Sequence, residues 1–149
     1  MGGVTPYKVT GLVRRFLQTL ESAGTPVHLP FVLAWLDYLA GYCMSNTEAE
    51  AHRSGATVVY GWLIWEDRRH SFIEGEFHSV VMGDGRLRDV TPRHDGDRRV
   101  LFAPDQIRVA RRGDERTWDT WSNHKQVETR IVESTHKIQI RDAKSNVWK

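Results

Sequence analysis

The chain has 149 residues, 40% of them hydrophobic and 27% charged, with a formal net charge of +2. That is enough chain to bury a core without a metal or disulfide staple, and the small, dispersed basic excess gives only weak support for a nucleic-acid partner. A single cysteine rules out an intramolecular disulfide and favours a reducing, cytoplasmic setting, and with no long apolar run or secretory leader neither secretion nor membrane insertion is expected.

In chain order, Val9, Leu12, Val13, Phe16, Leu17 and Leu20 repeat at helical spacing between Tyr7 and Ala23, with Arg14, Arg15, Gln18 and Glu21 on the other side. This predicts an amphipathic helix ended by Gly24 and Pro26. Pro30 and the apolar run Phe31 to Leu36 predict a second, buried helix that stops near Gly41. A third helix is expected to begin at or near Cys43, with Ser45, Asn46 and Thr47 as cap candidates and Glu48 and Glu50 complementing the dipole of its first turns. At Ala56 the apolar period changes from 3.6 to 2. Thr57 to Glu66 then reads as a central strand, with Gly61 a bulge or a point of close approach. Short strands are expected at Val100 to Phe102 and Gln106 to Ala110, RRGDER reads as an exposed turn, and KQVETRIV and HKIQIRD alternate as a closing hairpin would. The expected fold class is α+β, N-terminal helices packed on an antiparallel β-sheet. It is organised as one domain: residues 1–55 the helical part carrying Cys43, 56–110 the sheet, and 117–149 a C-terminal segment polar enough to depend on a partner for its order.

The chemistry concentrates in FIEGEFHSVVMGDGRLRDVTP, residues 72–92, which reads as two antiparallel strands around a glycine turn. Alternation puts Glu74, Glu76 and His78 on one face. With Asp84-Gly85 as a two-residue type I′ loop, Gly83 pairs with Arg86, and Asp89 is a same-face diagonal neighbour of His78. With Gly83-Asp84 as the loop, Asp89 lies directly opposite, and a three-residue loop without a bulge sends the two to opposite faces. A carboxylate beside an imidazole fixes its tautomer and stabilises its charged form, which is the orienting half of a nucleophilic triad. Cys43 supplies a nucleophile, and a helix N-terminus favours its thiolate. Taken singly, each residue has a plainer role: Cys43 as packing, His78 as a satisfied strand residue, Asp89 as a cap on the turn before Thr91-Pro92. A metal site of Cys43, His78 and Asp89 with His70 or Glu76 is the other arrangement, but neither CxxC nor HxxxH spacing supports it. No metal or cofactor is therefore expected.

The order Gly41-Tyr42-Cys43, a helix, RSGATVVYGW, EFH and LRDVTP resembles the transglutaminase-like core, a branch of the papain-like cysteine enzymes, over Ala40 to Pro92. The resemblance implies that Cys43, His78 and Asp89 form a catalytic triad. The function it suggests is cysteine-dependent acyl transfer (hydrolase, deamidase or transferase) on an amide, isopeptide or thioester bond of a protein or peptide. Trp62 and Glu76 are candidate substrate-binding residues, and Trp35, Trp62 and Trp65 candidate core or groove walls. The chain departs from the family where Ser79 and Val80 follow His78 and where Val90 follows Asp89. Those departures motivate an alternative, a catalytically inactive binding or adaptor module, with Trp118, Trp121 and the arginines 93, 98, 99, 111 and 112 meeting a protein or nucleic acid.

Overall fold

Thr10 closes the N-terminus of the first helix, its hydroxyl accepting from Val13 N at 3.3 Å. This helix, α1 (Gly11–Thr19), is shorter than the periodicity predicts, because Thr10 takes the cap and Glu21, at φ 62, turns the chain away after Leu20. The structure, a computed structural model, describes residues 4–67, 72–93, 98–113, 117–121, 123–127, 130–133 and 137–141.

The second predicted helix is absent. Val27–Pro30 is instead a strand, β1, and residues 31–42 are an irregular loop leading into α2 (Cys43–Ser54). Backbone bonding explains the difference. Phe31 N donates to Arg98 O at 2.8 Å and Val32 N to Asp89 O at 2.8 Å, while Pro30 O accepts from Asp89 N at 3.0 Å. Groups that a helix would use internally are committed to distant segments, and Pro30 sits at the end of an edge strand, where its missing N–H costs little. The apolar residues of the loop largely face water: Leu33 is 60% and Leu36 85% exposed, and Trp35, expected as core or groove wall, is 49% exposed. Tyr38 alone is buried, its hydroxyl donating to Glu50 Oε1 at 2.9 Å.

The change of period near Ala56 does mark the start of a sheet. β2 (Thr57–Asp67) and β3 (Phe72–Gly83) pair antiparallel along their whole length. β4 (Arg86–Arg88) returns against β3, and β5 (Arg99–Pro104) lies between β1 and β2. No strand forms at Gln106 to Ala110. Arg111–Arg112, expected in an exposed turn, forms β6 instead and pairs with β7 (Thr117–Trp121). β8 (His124–Val127) joins the outer side of β3 and pairs with β9 (Arg130–Glu133), whereas β10 (Lys137–Arg141) pairs with β7. The result is an antiparallel sheet in the order β1-β5-β2-β3-β8-β9, with β4 beside β3, and a smaller sheet β10-β7-β6. This is the expected α+β class, with one N-terminal helix rather than two before the cysteine-bearing one.

Both faces of the β2–β3 pair are covered, which is why residues 61–66 are all buried. On one face Trp62, Ile64, Ile73 and Phe77 pack with Leu101, Ala103 and the Val13, Phe16, Leu17 and Leu20 side of the first helix and its end. On the other, Leu63, Trp65 and Val80 pack with Leu29, Val100 and Phe102. Gly61 is a point of close approach, as its place in the sequence suggested: a Cβ there would collide with Ala103 O and come within 2.8 Å of Pro104 Cα. Among the described residues no helix is long and apolar enough to cross a membrane.

Candidate functional site

Cys43 is the first residue of α2, and the position before it, Tyr42, makes no side-chain capping bond. The three expected caps are occupied elsewhere, because the helix starts before them rather than after. Ser45 Oγ accepts from Trp118 Nε1 at 3.1 Å, and Asn46 Nδ2 donates to Leu39 O at 2.9 Å and to Thr91 Oγ1 at 3.1 Å. Thr47 Oγ1 shares a hydrogen bond with Ser79 Oγ at 2.7 Å. Helix α2 is thus fastened to the strand that carries His78 and to the turn that follows Asp89. No acidic residue lies in its first turn. Glu48 binds Arg112, and Glu50 is buried with Tyr38, Arg53 and Arg88 around it. Burial pushes the Glu50 carboxyl pKa up, but hydrogen bonds from Arg53, Tyr38 and Arg88 overrule it and hold the group charged.

The hairpin adopts the Asp84-Gly85 register. Gly83 pairs with Arg86, and the loop residues have φ 53 and 74, as a type I′ turn requires. His78 therefore stands on the same face as the position reached by Asp89, and its Nε2 lies 3.2 Å from Asp89 Oδ1. Both are buried, at 4% and 0% exposure. After Arg88 the chain leaves β3 and is caught by β1 and the loop, through the Asp89 bonds to Pro30 and Val32. Asp89 also accepts from Thr91 N at 3.1 Å, so its capping role and its histidine contact coexist on one oxygen.

On the outer side of β3, β8 pairs with residues 72–75 and β4 with 81–83, so that among the described residues no strand covers 76–80. His78 sits in the middle of this gap, and Cys43 approaches it there. Burial pushes the His78 pKa down, but the Asp89 carboxylate and charge on the Cys43 sulfur, with side-chain hydrogen bonding to both, raise it well above 6.5. Since Nε2 is turned to Asp89, Nδ1 is the ring nitrogen left to exchange a proton with a thiol.

A cleft of about 350 Å³ opens beside this constellation, bordered by Cys43, His78, Trp65, Glu76, Arg93, Trp121 and Asn123. The structure thus brings Cys43, His78, Asp89 and Glu76 together. Trp62 does not belong with them: it is fully buried, and its Nε1 donates to Asp105 Oδ2 at 2.9 Å, so it is a core residue rather than a substrate-binding one. Among the described residues no three His, Cys, Asp or Glu side chains converge as metal ligands, and His70 lies outside the described residues. The sequence reading missed Asn46, Thr91 and Asn123. The first two had a signal: Asn46 lies three residues after Cys43, on the next turn, and Thr91 two after Asp89, the offset at which an aspartate binds a backbone N–H.

No protein-family model, curated protein or solved structure matches this chain.

Proposed function

We propose that the protein is a cysteine-dependent acyl-transfer enzyme acting on an amide, isopeptide or thioester bond, built on a transglutaminase-like core. The observation that carries this reading is the buried His78–Asp89 pair at 3.2 Å, with Cys43 coupled to the same imidazole at the edge of a cleft. Cys43 attacks the substrate carbonyl carbon after giving its proton to His78 Nδ1. The carbonyl π electrons move to oxygen, and the oxyanion is met by first-turn N–H groups of α2, which no side chain caps. As the tetrahedral species collapses, His78 returns the proton to the leaving nitrogen or sulfur and a thioester remains on Cys43. Water or an amine then attacks the thioester, with His78 taking its proton and handing it to the departing Cys43 sulfur. Asp89 keeps Nε2 engaged throughout, so that the ring does not turn.

The test uses iodoacetamide, for which Cys43 is the only thiol in the chain. Alkylation of the wild type should stay fast at slightly acidic pH and fall by roughly tenfold or more in His78→Ala. An identical pH profile in the two proteins would reject the triad. A second reading, the inactive binding module, is favoured by the exposed apolar side chains of the loop before α2. It becomes the better one if Cys43 and His78 prove uncoupled.

A further inference from the structure

Glu76 is two residues before His78 on the same face of β3, a separation of about 7 Å along a strand. It is half-buried and borders the cleft. Its Oε1 accepts from Trp65 Nε1 at 3.0 Å, which fixes the carboxylate against an aromatic wall. Among the described residues no cation is paired with it. On the same face His78 is bound to Asp89 and the Glu74 carboxylate accepts from Asn123 Nδ2 at 2.6 Å, while the Arg93 guanidinium lies 4.1 Å from the centroid of the Trp65 ring. A half-buried carboxylate that pairs with no cation among the described residues gains from a substrate cation entering the cleft. The indoles that line the cleft already hold cations, Arg93 on Trp65 and Arg108 at 5.3 Å from the centroid of the Trp121 ring, so the Glu76 carboxylate is what the cleft offers a substrate cation.

We propose that Glu76 is a specificity residue that holds an alkylammonium group of the substrate within about one residue of the reacting carbonyl. The proposal rests on the reading of Cys43 and His78 given above. The ammonium can come from a lysine side chain or from a free amino terminus.

Chloromethyl ketones test it directly. Cys43 displaces chloride, an S–C bond forming as the C–Cl bond breaks, while the ketone occupies the place of the reacting carbonyl. Acetyl-lysyl chloromethyl ketone is compared with its neutral acetyl-norleucyl counterpart, and alanyl-alanyl chloromethyl ketone with its N-acetylated form. One cationic probe of the two pairs should outrun its neutral partner by on the order of tenfold, the preference expected of a partly screened ion pair at about 4 Å, and the pair in which this happens identifies the source of the ammonium. In Glu76→Gln, which keeps an oxygen for Trp65 Nε1, that ratio should fall towards unity. In the wild type it should also shrink as salt rises. Ratios near unity in both wild-type pairs, or a preference that survives Glu76→Gln, would overturn the cation site while leaving the triad in place. If all four probes react as slowly with wild type as with His78→Ala, the triad itself fails and the cation site falls with it.

Discussion

Asn46 Nδ2 reaches Thr91 Oγ1 at 3.1 Å, and through that bond the helix that begins at Cys43 is fastened to the turn that holds Asp89. Cys43 and Asp89 lie 46 residues apart in sequence, and this buried contact ties together the elements that carry them.

Replacing Asn46 with alanine should therefore act twice. Leaving Leu39 O and Thr91 Oγ1 without their donor should cost about 1–3 kcal/mol of stability, seen as a lower denaturation midpoint. Iodoacetamide should also alkylate Cys43 more slowly in the folded variant, because the sulfur is no longer held against His78.

The raised pKa of His78 makes stability depend on pH with a definite sign. Burial opposes the charged ring, but Asp89 and Cys43 overrule it, so the folded protein holds this proton more tightly than the unfolded chain does. The contribution is complete below about pH 6.5, the unfolded value, and is lost as pH rises through the higher folded value. Urea titrations from pH 6 upward should show falling stability in the wild type and a smaller slope in His78→Gln; equal slopes would contradict the pairing.

Asp105 behaves in the opposite direction. Its side chain is buried, which by itself would raise its pKa, but Ser22 Oγ at 2.6 Å, the Arg108 and Ile107 N–H groups and Trp62 Nε1 bring it down from 3.8 to about 2. Linkage puts the value of that shift at about 2 kcal/mol, present above pH 4 and lost as pH falls towards 2. Asp105→Asn should lower the Tm at neutral pH and flatten its decline in acid, as calorimetry across that range would record.

Gly61→Ala should be among the most damaging single changes, although it adds only a methyl group. The new Cβ meets β5 backbone at Ala103 O and Pro104 Cα as well as the ring of the fully buried Phe102, so a loss of about 3 kcal/mol or more is expected. Thermal unfolding should show it, and a Tm within a degree or two of wild type would mean that β5 gives way more easily than its packing suggests.

Gly85→Val tests the turn itself. The residue sits at φ 74, where a β-branched side chain is strained, and the hairpin register depends on it. Slower folding in stopped-flow mixing and a lower Tm are expected.

Local chemistry explains how far the sequence could be read. An Asp-Gly turn fixes register over its next few residues, and two of the three registers open to it put His78 and Asp89 on one face, one of which the hairpin adopts. The start of α2 falls at Cys43, within the span expected, although the caps that suggested it are engaged elsewhere. Phe31 to Leu36 were misread because their apolarity looks like burial, while the groups that hold that stretch extended, Asp89 and Arg98, are nearly sixty or more residues away. A tryptophan at position 62 reads on sequence equally as a groove wall or a core residue. Its face is decided by α1, and by Asp105 in the chain beyond β5, neither of which has a signature near residue 62.

Pro30, Phe31 and Val32 serve as the end of an edge strand, the root of an exposed loop and the clamp on the Asp89 backbone. A protein engineer would find very unequal freedom along this one stretch. Between Leu33 and Asp37, where all side chains but Ala34 face water, added residues should be absorbed at small entropic cost. A single insertion between Pro30 and Val32 would put the two bonds that grip Asp89 out of step, detuning the imidazole from a site on the surface.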